Sequence, residues 1–113
     1  MLFFYDPDCG HCKKSTPLLY DAYADMQAKG VEVLAICTTT DKKRWMEFIQ
    51  EFNLEWLNLA DLSATTHMKY YYDVRSTPTV YILDEEKKIL LKKIPTENVP
   101  EIIDQLIAQS EED

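Results

Sequence analysis

The chain is expected to fold as a single α/β domain over residues 1–113, a sandwich whose central sheet is parallel at first and antiparallel at its end. Three observations predict it. Short apolar runs bounded by turn residues alternate with stretches of helical period through the first half. The last two runs, 79–83 and 88–94, are separated by only Asp84-Glu85-Glu86-Lys87, which closes them as a hairpin. The chain has only two glycines and five prolines, with 46% apolar and 28% charged residues, the composition of an ordinary globular core.

Each element follows in order. Residues 2–5, Leu-Phe-Phe-Tyr, are apolar throughout and stop at Asp6-Pro7, as a buried strand does. Residues 12–29 place Leu18, Leu19, Ala22, Tyr23 and Met26 on one helical face and end at Gly30; Pro17 should kink this helix. Residues 31–37 read as a second strand. Thr40 or Asp41 can cap a helix carrying Trp45, Phe48, Ile49 and Phe52. Residues 54–62 read as irregular, with Trp56, Leu57 and Leu59 tucked beneath. Ser63 should cap a short helix through Tyr72, and residues 99–108 a closing amphipathic helix. The acidic tail, 109–113, reads as a solvated end.

The net charge of −8 makes nucleic acid and anionic membrane surfaces unlikely partners. There is no 18-residue apolar stretch to span a bilayer, and residues 1–5 lack the basic flank of a signal peptide. An apolar run beginning at residue 2 raises the expectation of a domain trimmed from a longer chain, whose parent could carry a leader, an anchor or further domains.

Two of the three cysteines lie three positions apart, in Asp8-Cys9-Gly10-His11-Cys12. A structural zinc site needs four ligands, and Cys37 and His67 would have to be gathered from distant elements to complete one. A purely structural disulfide is poorly motivated, because so short a loop removes little chain entropy. A redox pair fits its position after a strand and at the start of a helix. There the first sulfur meets unpaired amides and the positive end of the helix dipole, which stabilise thiolate and make Cys9 the nucleophile. Cys12, one turn further in, is the resolving thiol. Protonated His11 would favour the Cys9 thiolate further, and Asp8 would oppose it. Lys13 and Lys14 read as solvated surface. Pro78, in Ser76-Thr77-Pro78-Thr79, must lie at a strand end; the position admits a cis Thr77–Pro78 bond, although a trans bond is the commoner state.

Cys9-Gly10-His11-Cys12 after an aromatic strand, Pro17 five residues on, and Thr77-Pro78 before a late hairpin together resemble the thioredoxin superfamily over residues 2–108. The segment 41–72 ahead of Val74-Arg75-Ser76-Thr77-Pro78 resembles the TlpA/ResA-type thiol-disulfide oxidoreductases of the bacterial envelope. The resemblance implies a thioredoxin-like three-layer sandwich with helices on both faces of a mixed sheet, its first strand truncated. It implies that Cys9 attacks a partner disulfide, that Cys12 resolves the mixed disulfide, and that Pro78 is cis against the pair. Thr77 would then offer backbone hydrogen bonds to an extended substrate segment. The Gly10-His11 dipeptide matches that of the disulfide isomerases and suggests a less reducing potential than thioredoxin's.

By the same resemblance the chain would work in the periplasm or cell envelope; it is expected to be a monomer. It would trade electrons with protein thiols or disulfides and an upstream redox partner, with no cofactor or metal beyond a Cys9–Cys12 disulfide.

Three positions depart from the family pattern. Phe3 stands where thioredoxins keep a buried aspartate, Ser15 where ResA-type reductases often carry a glutamate, and Asp8 where a tryptophan usually precedes the first cysteine. The two missing acids serve proton transfer at the buried thiol. Cys37 reads as a small buried hydrophobe, His67 as an ordinary surface or half-buried histidine, and Tyr70-Tyr71-Tyr72 as split between core and surface. The reductase reading leads; an oxidase or isomerase and a redox-inert docking module stand as alternatives. Peroxide reduction is weaker, since no threonine precedes either cysteine at the required spacing.

Overall fold

The computed structural model describes residues 1–60, 62, 72 and 77–112. Five strands form one mixed sheet in the order β3-β2-β1-β4-β5. The central strand β1, Leu2–Tyr5, is parallel to β2, Leu34–Cys37, and antiparallel to β4, Thr79–Leu83. Its four residues are all buried, which is why the run is apolar without alternation: both faces of a central strand are covered. Phe3 and Tyr5 point to one face, Leu2 and Phe4 to the other.

The helices α1, Gly10–Asp21, α2, Tyr23–Ala28, α3, Lys42–Phe52, and α4, Val99–Glu112, all contribute to the larger cluster around Phe3 and Tyr5. On the opposite face Leu2, Phe4, Ile36 and Tyr81 form a smaller cluster. The Tyr72 ring lies 5.5 Å from both Phe4 and Tyr81 there, and Tyr81 donates its hydroxyl to the Tyr72 carbonyl. The helix expected from Ser63 to Tyr72, with His67, Tyr70 and Tyr71, lies almost wholly outside the described residues.

Four expectations are corrected. The helix expected from residue 12 to 29 is not interrupted at Pro17, which sits inside α1; the break falls at Ala22, whose amide turns to the Leu19 carbonyl at 3.1 Å. Pro17 removes only the bond to the carbonyl of Lys13, an exposed residue where solvent can take its place. The second strand begins at Leu34, not at residue 31. Gly30, at φ 89°, ends α2, and the Val31 amide closes the helix on the Met26 carbonyl at 2.9 Å, while the Val33 amide goes to the Glu32 carboxylate at 3.0 Å. Those amides are therefore spent before the ladder starts.

The segment read as irregular contains an edge strand, β3, Leu57–Ala60, parallel to β2. Trp56 is buried against Tyr20 and Tyr23, but Leu57 and Leu59 are 58% and 49% exposed, because they share the outer face of an edge strand. Finally, α4 runs to Glu112, so the backbone of the acidic tail is helical through that residue: no glycine or proline follows Ala108 to stop it.

The hairpin of β4 and β5, Ile89–Ile94, forms as expected. Asp84 holds its turn by accepting the Glu86 and Lys88 amides on one carboxylate oxygen, each at 2.9 Å. A 3₁₀ turn over Thr96–Asn98 leads into α4. Asp41 caps α3, accepting the Arg44 amide at 3.2 Å, and Asn53 ends it at φ 51°.

Candidate active site

The C-terminal end of β1 delivers the chain into a tight turn and then straight into α1. The Cys9 amide donates to the Asp6 carbonyl at 3.0 Å, and the Asp8 amide to the Asp6 carboxylate at 2.9 Å. Cys9 is the N-cap of α1, with extended backbone (φ −83°, ψ 117°), and its carbonyl accepts the Lys13 amide at 3.2 Å. The cap side chain is thus a thiol, set where a serine or aspartate oxygen would ordinarily receive the orphan amides of the first turn.

All three cysteines are free thiols. Cys9 is half-buried, whereas Cys12 and Cys37 are sealed. Burial pushes the Cys9 thiol up, but the nearby Cys12 amide and thiol, the Thr77 side chain and the His11 amide favour the thiolate and together outweigh it. The Cys9 pKa therefore falls below the ordinary thiol value. For Cys12 burial wins over hydrogen bonding from the Asp6 backbone and Thr77, and its pKa is pushed up to about 12. Cys37, register partner of Tyr5, is raised to about 11, chiefly by burial. Tyr5 is raised as well, again by burial first and then by the neighbouring Cys37, so its phenol stays neutral. One turn of helix separates a thiol prepared to ionise from one held protonated.

Thr77 and Pro78 come to this turn from the start of β4. Their peptide bond is cis, both residues are half-buried, and the Cys9 thiol donates to the Thr77 carbonyl at 3.4 Å. Cys9, Cys12, Thr77 and the His11 amide are therefore gathered at one site from residues 68 apart in sequence. The His11 side chain is exposed, as is Gly10, where an added Cβ would meet nothing within 4 Å. Asp8 is exposed too and forms an ion pair with Arg44 of α3.

Phe3 and Ser15 supply no carboxylate. Phe3 stacks on Tyr5 at 5.6 Å and meets Trp56 edge-on, and the buried Ser15 donates its hydroxyl to the His11 carbonyl at 2.8 Å. Among the described residues no three His, Cys, Asp or Glu side chains gather as a metal site would require. Sequence reasoning missed two neighbours of the site. Tyr5, whose buried hydroxyl has no hydrogen-bond partner among the described groups, reads in sequence as one more aromatic of a core strand. Arg44 carries no signal at all, since only the fold brings α3 to the Cys9 turn.

Comparison with known proteins agrees with this geometry. The profile of the family described as thioredoxin-like matches residues 1–89. A crystallised domain from Cytophaga hutchinsonii, named as that of a possible thiol-disulfide isomerase, is 36% identical; it superposes with a TM-score of 0.87 over 99% of this chain and 77% of its own. The thioredoxin domain of a Bacteroides vulgatus thiol-disulfide oxidoreductase superposes with a TM-score of 0.83 at 21% identity, covering 94% of this chain and 76% of that one, a likeness of fold. Among curated proteins, the thiol-disulfide oxidoreductase ResA of Oceanobacillus iheyensis is 29% identical over 89 residues, 79% of this chain and 45% of the relative. The chain thus spans about half the length of the curated relatives it matches.

Proposed function

The chain belongs to the thioredoxin-like family, and from that premise we propose that it is a thiol-disulfide oxidoreductase acting on protein disulfides through Cys9 and Cys12, working as a reductase. The observation that carries this reading is the inequality of the two thiols, one lowered and half-exposed, the other raised and sealed. The Cys9 thiolate attacks one sulfur of a substrate disulfide; a Cys9–substrate disulfide forms and the other substrate sulfur leaves as thiolate, to be protonated by solvent. Cys12 then gives up its proton and attacks the Cys9 sulfur, releasing the second substrate thiol. Two electrons and two protons pass to the substrate, the Cys9–Cys12 disulfide remains, and an upstream dithiol must reduce it again. No cofactor is required.

Gly10 faces open space, and the Thr77 backbone, which already meets the Cys9 thiol, is the group with which an extended substrate segment would pair. A place in the periplasm or cell envelope, on the resemblance to the TlpA/ResA type, and a monomeric state complete the reading. Oxidation or isomerisation is the second reading. The Gly10-His11 dipeptide favours it, as does the isomerase name of the 36% identical domain.

Two measurements test the proposal together. Cys12→Ser should trap a mixed disulfide at Cys9 with a reporter protein disulfide, and Cys9→Ser should trap none; the reverse pattern sinks the assignment of roles. Equilibrium with glutathione then sets direction. A potential near about −270 mV fits a reductase, and one near about −180 mV transfers the chain to the oxidase or isomerase reading. No exchange by either variant or by the parent protein leaves a docking module.

A further inference from the structure

Asp8 is an awkward neighbour for a nucleophilic thiol. It directly precedes Cys9, and a carboxylate beside a sulfur that must ionise raises the cost of the thiolate. The structure couples this carboxylate to a cation. Arg44, in the first turn of α3, reaches across from a different element and pairs its guanidinium with Asp8. Both partners are half-exposed, at 50% and 53%.

The backbone at each end of the pair is also held. The Asp8 amide is tied to the Asp6 carboxylate, and the Arg44 amide to the Asp41 cap. The two side chains therefore start from fixed positions, which lowers the entropy cost of keeping them together. The ionisable residues of this turn are Asp6 and Asp8 before Cys9 and His11 and Cys12 after it on α1; Arg44 reaches Asp8 from α3, and buried Cys37 of β2 also feels the charges of Asp6 and Asp8.

We propose that Arg44 is a positioning residue for the dithiol: by clamping and neutralising Asp8 it keeps the Cys9 thiolate accessible and shifts the pair toward its reduced form. The clamp rests on the thiol-exchange reading of the same site, but it acts on the ionisation of Cys9, which is measurable without any substrate. Removing the Arg44 charge takes this cation from Asp8, so the thiolate is destabilised. The reduced protein is destabilised with it, and equilibrium with glutathione moves toward the disulfide.

The test is a double-mutant cycle of Arg44→Gln and Asp8→Asn on the full chain, read by the pH dependence of Cys9 alkylation and by equilibrium with glutathione above the wild-type midpoint. Arg44→Gln should raise the alkylation midpoint by roughly 0.3 to 0.5 pH unit, a two- to threefold loss of thiolate below it, in the range expected for an exposed pair. The glutathione equilibrium should shift by about the same factor toward the disulfide, and about 1 M salt should erase most of the difference. In the Asp8→Asn background the same substitution should do less than half as much, and Arg44→Lys should keep most of the wild-type midpoint.

No shift on Arg44→Gln overturns the proposal, and so does an equal shift in both backgrounds, which would mean that Arg44 acts on the sulfur without Asp8. A parent protein that exchanges no disulfide yet shows the coupled midpoint would sink the proposed function and leave the clamp intact.

Discussion

Cys9 sits half-exposed at the mouth of α1 with amides aimed at its sulfur, while Cys12, a turn further along the same helix, is sealed in a dry core with Tyr5 and Cys37. The groups are chemically identical and the pKa directions opposite. At the mouth, several donors together outweigh desolvation, which is the largest single contribution there. In the core the desolvation cost dominates, and the donors that reach Cys12 do not recover it.

If mouth and core are separate regimes, a change in one should leave the other alone. Phe3→Ala gives the largest effect. It removes a fully buried ring that contacts Tyr5 and Trp56 and should cost roughly 3–5 kcal/mol in denaturant unfolding. The alkylation midpoint of Cys9 should stay within about 0.3 pH unit of wild type, because the Cys12 and His11 amides and Thr77 that lower it are not among the rings Phe3 contacts. A larger shift would show that core packing aims those amides, and would end the separation.

The pH dependence of stability probes the core side. The Cys37 thiol is raised from 9.0 to about 11 in the folded protein, so the unfolded chain loses that proton first. Its contribution is complete below about pH 9 and is lost as pH rises through 11, an alkaline loss on the order of 2–3 kcal/mol. Cys12 adds a loss of the same sign, extending to about pH 12. Cys37→Ala should flatten the alkaline arm of reduced-protein stability by roughly a third, since Cys12 and the raised Tyr5 phenol remain; an unchanged slope would mean that Cys37 ionises as readily folded as unfolded. Cys9 has the other sign, since its folded pKa is lowered: its contribution is present above the unfolded pKa and lost as pH falls through the folded one.

The smallest effect belongs to the helix that carries Arg44. Asp41→Ala removes the side-chain acceptor of the Arg44 amide and should lower stability by about 1 kcal/mol in the same unfolding assay. A cost near zero would show that solvent replaces the cap.

Much of this molecule was legible in its sequence, and the pattern of misses is instructive. Residues 2–5 and 79–83 were bounded correctly because a strand buried on both faces writes itself as an unbroken apolar run. β3 was missed because its two leucines face outward at 58% and 49% exposure, contrary to the usual sense of an apolar pair. The early residues of the second strand were misread because Val31 and Val33 have strand propensity, but their amides are spent on Met26 and Glu32.

At the site, the spacing of Cys9 and Cys12 at a strand-to-helix junction already set the order of the thiols by local geometry alone. An N-cap residue faces free amides, and a residue three further on in the same helix faces inward. The approach of the Thr77 carbonyl to Cys9, the burial that drives Cys12 and Cys37 upward, and the pairing of Arg44 with Asp8 depend on residues between 30 and 70 positions apart or on what covers them. Short-range pattern determines which groups can react, because backbone direction and helix dipole are local. Only the packed structure decides how strongly each is driven, because desolvation and charge pairing are properties of the surroundings.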